Sequence, residues 1–207
     1  MNRSMFIVFE GADGSGKTTV MNSFAKYLEK NGDPVVVTKE PWSGHQSSYM
    51  WIRKILDKKI EIKDRNVLEF ILLCNRYRHN IWVKKRLKEG FNIVQDRSWI
   101  SSIAYQEMFS MDFIIKINSK FEKIDILFFV DTPAKECIRR IEARGSKKTL
   151  YEKEQKLESA NQKYNQFIQY CNKMEDDVRP YIQVYTLNGI WSRRDLFLYV
   201  VMIWGET

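Results

Sequence analysis

The stretch Gly11-Ala12-Asp13-Gly14-Ser15-Gly16-Lys17-Thr18 constrains the fold of this chain more than any other feature. Two glycines five positions apart, followed by lysine and a hydroxyl residue, form the pattern of a phosphate-binding loop. The apolar run 5–9 predicts a strand before it, and apolar side chains every fourth residue over 19–30 predict a helix after it. In that setting backbone N–H groups curl around an anion, and the helix start adds partial positive charge. The sequence therefore predicts a phosphate-binding strand–loop–helix unit rather than a chance glycine-rich turn.

The rest of the chain alternates apolar runs with helical patterns. This alternation predicts an α/β protein with the P-loop NTPase fold, a five-stranded parallel sheet flanked by helices on both faces. The predicted strands are 5–9, 35–38, 91–95, 124–130 and 181–187, and the predicted helices are 19–30, 46–56, 65–89, 99–109, 133–143, 151–174 and 193–203. The run 124–130 is the most apolar, so we expect it at the centre of the sheet. With 207 residues and no linker, 1–207 is expected to be a single P-loop domain.

Composition narrows the classes of function. The net charge is +8, but no basic run alternates with aromatic residues, so specific nucleic-acid binding is not expected. No stretch has the roughly 20 apolar residues of a membrane span. Cys74, Cys137 and Cys171 show neither metal nor disulfide spacing, and the two histidines lie too far apart for a zinc site. These features indicate a reducing, cytoplasmic location.

Charged residues follow the predicted strands. The phosphate-binding loop follows the first strand, Lys39-Glu40-Pro41 the second, Asp96-Arg97 the third and Asp131-Thr132-Pro133 the fourth. In a parallel α/β sheet ligands bind beyond the carboxyl ends of the strands. We therefore expect a nucleotide and its phosphate acceptor to lie at this edge of the sheet.

These elements together resemble the thymidylate kinase family over about 6–145. The loop, with Glu10 before its first glycine, is similar to the family's loop, and Thr38-Lys39-Glu40-Pro41 is similar to its Thr-Arg-Glu-Pro. Asn75-Arg76 ends a stretch that resembles its monophosphate-binding helix. Asp96-Arg97-Ser98 and 101–106 resemble its Asp-Arg-Tyr and Ser-Ser-x-Ala-Tyr-Gln segments, and 140–145 resembles the start of its lid. The resemblance implies phosphoryl transfer from ATP to a deoxynucleoside monophosphate, with Mg²⁺, and a homodimer.

The roles on the donor side follow from this chemistry, which depends on positioning and charge neutralisation. Lys17 would hold the ATP phosphates, Thr18 would ligate Mg²⁺, and Asp96 would support the metal. Asp13 would orient the metal, its water or the acceptor phosphate. A lid at about 143–152 would deliver the catalytic cation Arg144, whereas Lys147 and Lys148 could equally form a solvated loop tip, and adenine is expected near 188–191. The expected ATP-binding residues are Gly11, Gly14, Ser15, Gly16, Lys17, Thr18, Thr19 and Arg140.

On the acceptor side, the motif position of Arg97 suits a grip on phosphate. The resemblance implies that Arg76 donates to a base carbonyl, Ser102 bonds the base edge and Tyr105 packs where a 2′-hydroxyl would project. Plainer alternatives are a surface cation near Glu69 for Arg76, an ordinary helix residue for Ser102, a core aromatic for Tyr105, and a structural Asp96–Arg97 ion pair. The expected substrate-binding residues are Asp13, Glu40, Pro41, Leu72, Arg76, Arg97, Ser102 and Tyr105.

Four positions depart from the family pattern. Leu72 stands where a ring usually stacks on thymine, Ser98 stands where Tyr or His is usual, and Trp42 begins the segment that replaces Gly-Gly. These three suggest relaxed base specificity, extending to another pyrimidine or a purine. Gly14 stands where some members carry an arginine, so the cation is expected from the lid.

Two other functions remain open from the sequence. A deoxynucleoside kinase would share the phosphate-binding loop and could use Glu40 as the base for a sugar hydroxyl. A non-catalytic nucleotide-binding protein would bind ATP without acceptor-dependent release of ADP.

Overall fold

The computed structural model of the chain describes residues 3–62, 64–106, 109–145, 153–173 and 182–207. Within them, one parallel sheet has the strand order β2-β3-β1-β4-β5. The strands are β1 (Phe6–Glu10), β2 (Val35–Lys39), β3 (Asn92–Asp96), β4 (Ile126–Asp131) and β5 (Gln183–Asn188). The helices are α1 (Lys17–Lys30), α2 (Gln46–Leu56), α3 (Arg65–Lys88), α4 (Ile100–Tyr105), α5 (Met111–Asn118), α6 (Ala134–Ala143), α7 (Glu154–Lys173) and α8 (Arg193–Gly205). The predicted α/β class and five-stranded parallel sheet are confirmed.

The alternation of side chains along β1 divides the core between the two faces of the sheet. Phe6 and Val8 pack with apolar residues from α3, α4, α5 and α7. Ile7 and Phe9 pack on the opposite face with residues from α1 and α8. Helices therefore cover both faces, as predicted.

The register of the central strands aligns the edge that carries the candidate site. Asp96 at the end of β3 pairs with Phe9 of β1 and with Lys39 of β2. The three strands therefore end at one level, so the phosphate-binding loop, Glu40 and Arg97 leave the sheet side by side. This placement confirms the expected convergence of charged residues.

The single helix predicted over 99–109 is wrong. α4 ends at Tyr105, because the backbone of Gln106 is extended, with φ −91° and ψ 144°. A second helix, α5, was not predicted, and it begins after Ser110, whose hydroxyl oxygen accepts a hydrogen bond from the Phe113 N–H. Ile103 and Ile114 bury against the same core cluster, so the apolar pattern runs on although the backbone turns.

The strand expected at the centre of the sheet, β4, is an interior strand but not the middle one. β4 lies between β1 and β5, and β1 takes the middle position. All of β1 is buried, as is β4 up to its half-buried last residue, so apolar content does not distinguish the two. Pro133 precedes the first turn of α6 as its N-cap residue. The predicted ends at Tyr151, Met174 and Tyr181 lie outside the described residues.

Among the described residues, none of the helices combines the length and the apolar character that a membrane crossing needs.

Candidate active site

The phosphate-binding loop joins β1 to α1 and packs against α6. Gly14 has φ +84°, and a Cβ atom built there would lie 2.5 Å from the carbonyl oxygen of Cys137. Because that carbonyl belongs to the helix backbone at the buried residue Cys137, a side chain at position 14 would collide with backbone that cannot easily move. The loop therefore has no room for an arginine at this position, which explains one departure from the family pattern.

A cavity of about 590 Å³ runs along the loop, and we call it the donor cavity. It brings together most of the residues expected to bind ATP. Those lining it are Gly14, Gly16, Lys17, Thr18, Thr19 and Arg140. Gly11 and Ser15 do not line the donor cavity. Ser15 is fully buried, and its hydroxyl oxygen accepts a hydrogen bond from the backbone N–H of Lys17 at 3.4 Å. Gly189 and Trp191, from the segment expected near adenine, line its far side.

Arg140 forms part of the wall of the donor cavity. Its Nη1 donates to the carbonyl oxygen of Ser15 and its Nη2 to that of Gly189, both at 2.9 Å. Its Nε donates to Glu136 at 2.6 Å. Arg140 therefore ties the phosphate-binding loop to the segment after β5, with its charge facing the cavity.

The residues expected at a metal site lie together beside Lys17. The Thr18 hydroxyl donates to Asp96 Oδ2 at 2.5 Å, whereas the buried Asp96 Oδ1 has no hydrogen-bond partner. Within the described ranges, no three His, Cys, Asp or Glu side chains form a metal-binding group. One hydroxyl and one carboxylate fit Mg²⁺, which takes few protein ligands and completes its shell with water and phosphate oxygens.

Arg97 faces the phosphate-binding loop from the end of β3. Its backbone is left-handed, with φ 67°, and its Nη2 donates to Asp13 Oδ1 at 2.8 Å. Lys17 Nζ lies 3.7 Å from the same oxygen. Burial alone would raise the pKa of Asp13, but the positive charges of Arg97 and Lys17 outweigh it and hold that pKa well below its usual value. Arg97 thus pairs with Asp13, and the alternative of an Asp96–Arg97 pair is wrong.

A second cavity, of about 330 Å³, adjoins the first, and we call it the acceptor cavity. The two cavities share Asp13, Glu40, Arg97 and Arg144. The other residues expected to bind the acceptor also line it, namely Pro41, Leu72, Arg76, Ser102 and Tyr105. Every predicted acceptor residue therefore lies around one space that opens onto the phosphate-binding loop.

Arg76 is buried and fully engaged, so the alternative of a surface cation is wrong. Its Nε donates to Glu40 Oε2 at 2.9 Å and its Nη2 to the Ser102 hydroxyl at 3.2 Å. Its Nη1 donates to Asn118 Oδ1 at 3.4 Å, an interaction made possible by the unpredicted α5. Burial would raise the pKa of Glu40, but Arg76 and His79 lower it below its usual value. Glu40 is thus an ionised partner of Arg76.

Tyr105 lies against Arg97, whose guanidinium carbon is 5.2 Å from the centre of its ring. Burial raises the pKa of this phenol to about 12, although Arg97 opposes the shift. Tyr105 therefore keeps its proton and presents a neutral hydroxyl and a ring edge to the acceptor cavity.

The three departures around the acceptor cavity have different consequences. Leu72 and Ser98 line the cavity. Phe70 is 63% exposed and does not replace the missing ring. Trp42 does not line the cavity; it stacks on His79 at 5.3 Å, and Trp99 packs edge-on against a core ring instead. Of the three positions that suggested relaxed base specificity, Trp42 therefore does not line the acceptor cavity.

Glu10 organises the floor of the site, a role that the sequence pattern did not reveal. It is fully buried, and its Oε1 accepts hydrogen bonds from the N–H and hydroxyl of Ser98 at 2.6 and 3.0 Å. Its Oε2 accepts from the hydroxyls of Ser101 and Tyr164, each at 2.8 Å. Burial raises the pKa of Glu10, and Arg97 and these donors lower it only in part. Glu10 therefore fixes the start of α4 beneath Arg97.

Other residues of the acceptor cavity also escaped the sequence reasoning. Arg53, Glu69 and Gln106 line it. Glu69 lies seven residues, about two helical turns, before Arg76 on α3, and burial raises its pKa to about 7 although Arg76 opposes the shift. Glu69, Leu72 and Arg76 are three and four residues apart, which places them on one face of α3. This spacing could have indicated that Glu69 lies at the acceptor cavity.

Arg144 lies in the described part of the expected lid. It lines both cavities, and its positive charge contributes to the lowered pKa of Asp13. Lys147 and Lys148 lie outside the described residues. Among the cations expected in the lid, Arg144 is thus a described one that lines both cavities.

Comparison with known proteins gives one consistent result. The family model described as thymidylate kinase matches residues 9–183. The chain is 32% identical to a protein named "Probable thymidylate kinase" from Sulfurisphaera tokodaii, with 87% of this chain and 91% of the relative covered. It is 37% identical to one of the same name from Methanococcus aeolicus, with 79% of each covered. It is 34% identical to "Thymidylate kinase" from Thermosipho africanus, with 68% and 73% covered.

Proposed function

The chain belongs to the thymidylate kinase family, and we propose that it transfers the γ-phosphoryl group of ATP to dTMP, giving dTDP and ADP. The observation that carries this proposal is the junction of the two cavities at Asp13, Glu40, Arg97 and Arg144. Phosphoryl transfer needs two phosphate groups in line and cations around the moving group. A junction with two arginines between a phosphate-binding loop and a nucleoside-sized cavity meets both needs.

On the donor side, the loop N–H groups and Lys17 hold the phosphates of ATP. Lys17 is buried at the start of α1, so its ammonium group lies where the helix already favours an anion. Arg140 and Trp191 form the walls that accommodate the nucleoside. Arg144 neutralises the phosphoryl group during transfer, because position 14 of the loop cannot carry a cation.

Thr18 and Asp96 would hold Mg²⁺ in this proposal, with Asp96 Oδ1, which accepts no hydrogen bond and lies 4.0 Å from Lys17 Nζ, available to the metal or its water. Bound there, Mg²⁺ would supply positive charge that neutralises the charge developing on the ATP phosphates. Lys17, which lies 3.7 Å from Asp13, adds a fixed positive charge beside this position.

On the acceptor side, Arg97 exchanges part of its contact with Asp13 for the phosphate of dTMP. Arg76 donates to a carbonyl oxygen of the base, and Ser102 lies beside it at the base edge. Tyr105 closes the sugar end and favours deoxyribose. With Leu72 in place of a ring, the base is held mainly through its polar edge, and the expected base specificity is relaxed.

The arrangement around Glu40 argues against a deoxynucleoside kinase. A general base for a sugar hydroxyl needs a free lone pair within hydrogen-bond reach of that group. Both carboxylate oxygens of Glu40 face cationic or N–H partners, Arg76 at 2.9 Å and His79 at 3.6 Å. The acceptor is therefore a monophosphate, which needs no such base.

A coupled assay of ADP release with Mg-ATP and a panel of ribo- and deoxynucleoside monophosphates tests this function. We expect turnover with dTMP, weaker turnover with other deoxynucleoside monophosphates, and none with thymidine. Arg97→Ala should reduce kcat/KM for dTMP by about 100-fold or more, the scale of losing a charged contact to the reacting phosphate. Thymidine turnover, or an Arg97→Ala variant as active as the wild type, would overturn the assignment.

We propose that the protein forms a homodimer through the outer face of α3. The exposed apolar residues of α3 recur at alternating spacings of three and four, which is the period of a packed helix–helix seam. They are Val67, Phe70, Cys74, Tyr77 and Ile81. Tyr77 and Ile81 are 59% and 55% exposed in the single chain. A second copy of this helix would cover the stripe, because each copy presents the same apolar period to the other.

Sedimentation equilibrium of Ile81→Asp tests the seam, with Leu198→Asp on α8 as a control that is half exposed but outside it. We expect the first variant to be monomeric and the second to remain dimeric. A monomeric wild type at micromolar concentration, or two dimeric variants, would contradict the proposed seam.

A further inference from the structure

A buried histidine stands behind the carboxylate that holds Arg76. His79 lies on α3, three residues after Arg76, and its Nδ1 is 3.6 Å from Glu40 Oε1. The other oxygen of Glu40 accepts the hydrogen bond from Arg76 Nε at 2.9 Å. His79 is 1% exposed, and it does not line the acceptor cavity. Glu40 is thus held between a residue that faces the base and a residue that does not.

The partners of His79 favour one tautomer of its ring. On one side of the ring, Nε2 lies 2.8 Å from the Thr38 hydroxyl oxygen, which can donate to it. With Thr38 donating to Nε2, the ring carries its N–H on Nδ1, which faces Glu40 Oε1 at 3.6 Å. A carboxylate accepts and does not donate, so this contact is attractive although it is longer than a hydrogen bond.

Two tryptophan rings hold the imidazole in this orientation. Trp42 stacks on it at a centroid distance of 5.3 Å and an interplanar angle of 12°, and Trp82 lies at 5.8 Å and 28°. The backbone of Trp42 is anchored in turn. Its backbone N–H donates to Asn75 Oδ1 at 2.7 Å, and its backbone carbonyl oxygen accepts from Asn75 Nδ2 at 2.9 Å. The ring of His79 therefore has little freedom to turn away from Glu40.

We infer that His79 is a positioning residue for base recognition, which acts through Glu40 to hold the Arg76 guanidinium at the base edge. The inference rests on the proposed function, and it assigns a role to a residue that touches no substrate. Without the His79 N–H, Glu40 loses one of its two partners and is free to swing, and Arg76 then loses its fixed direction toward Ser102. Base selection by Arg76 would consequently weaken while the phosphate chemistry at Lys17 remains intact.

Two isosteric variants separate this role from simple packing. Asparagine places its amide nitrogen near the position of Nδ1, so His79→Asn keeps a donor toward Glu40. Glutamine places its amide group near Nε2, so His79→Gln keeps the contact with Thr38 and loses the donor toward Glu40. Both variants lose the stacked ring equally, which makes each a control for the other.

Steady-state kinetics of the two purified variants with dTMP and Mg-ATP provide the test. We expect KM for dTMP to rise about tenfold in His79→Gln and less than about threefold in His79→Asn, the difference expected for one contact to a charged group. KM for ATP should stay within about twofold of the wild type in both. Equal effects of the two variants on KM for dTMP, or effects on KM for ATP of the same size, would overturn the inference.

A double-mutant cycle with Arg76→Ala adds a second readout. If His79 acts through Arg76, then His79→Gln should change KM for dTMP by less than about twofold in the Arg76→Ala background. If the effects of the two substitutions on KM for dTMP are fully additive, His79 does not act through Arg76. The proposed function is tested separately. If the wild-type protein shows no dTMP-dependent ADP release, that function is rejected before any variant is compared.

Discussion

The contact between Gly14 and α6 gives a quantitative test of how the phosphate-binding loop is held. Gly14 and Gly32 have almost the same positive φ, +84° and +82°. A Cβ atom at position 32 would meet nothing within 4 Å, whereas at position 14 it would lie 2.5 Å from the Cys137 carbonyl oxygen. The two glycine-to-alanine variants therefore share the cost of a left-handed residue and differ in steric overlap.

The expected magnitudes follow from these two terms. A left-handed alanine costs about 1–2 kcal/mol in the free energy of unfolding, and this applies to both variants. Overlap with fixed backbone adds about 1–3 kcal/mol at position 14 alone. For a chain of this length each kcal/mol lowers the midpoint of thermal unfolding by about 2–4 °C. Gly14→Ala should thus unfold at least about 2–4 °C below Gly32→Ala.

Differential scanning fluorimetry with and without Mg-ATP measures both stability and loop function. At ATP concentrations near 100 times the dissociation constant, binding stabilises the native state by about 2.7 kcal/mol. Gly32→Ala should keep this increment, and Gly14→Ala should lose most of it because the loop moves away from α6. If both variants unfold at the same temperature and keep the same increment, the argument that α6 excludes a side chain from the loop is refuted.

Three further predictions concern the acceptor cavity and the metal. Leu72→Phe should lower KM for dTMP, by about fivefold or more on the scale of 1–3 kcal/mol for a base on an aromatic ring, and an unchanged KM would remove the stacking argument. For Glu69, whose folded-state pKa is raised from 4.5 to about 7, the wild type should lose stability relative to Glu69→Gln as pH rises from about 4.5 to 7, because only the unfolded chain ionises freely there. Urea titrations at pH 4.5, 6 and 8 would show it, and a constant difference would contradict the raised pKa. Removal of Mg²⁺ with EDTA should abolish ADP release, and Asp96→Asn should raise the Mg²⁺ concentration that restores half of the activity, whereas an unshifted requirement would place the metal elsewhere.

The sequence predicted the parts of the site that depend on local pattern. The phosphate-binding loop needs its glycines and Lys17 at fixed spacing, and a strand and helix around it, all of which are visible along the chain. The ends of parallel strands meet at one edge, so the neighbourhood of Glu40 and Arg97 followed from the fold class. These predictions succeeded because each rests on backbone geometry.

The contacts that the sequence did not predict join side chains that are far apart along the chain. Glu10 and Tyr164 are 154 residues apart, and their contact depends on how α7 packs over the sheet. Asn118 reaches Arg76 only because the chain turns at Gln106 and starts α5, a break that the continuous apolar pattern concealed. Trp42 was one of three departures taken to relax base specificity, yet its ring stacks on His79 and does not line the acceptor cavity. Proximity along the chain did not indicate the direction of these side chains.

The Asp13–Arg97 ion pair suggests how acceptor binding and the loop are linked. Arg97 is held in a left-handed backbone conformation with its guanidinium on Asp13, so the arginine is already in place before a phosphate arrives. The acceptor phosphate must share that guanidinium with Asp13, and two anions beside one arginine repel each other unless a further cation compensates. Lys17, 3.7 Å from Asp13, and Arg144, which lines both cavities, lie where they supply part of that compensation, and the Mg²⁺ proposed to accompany ATP would add to it. The pair therefore favours a site in which acceptor, donor and lid reinforce one another, and binding of dTMP should be tighter in the presence of a non-hydrolysable ATP analogue than in its absence.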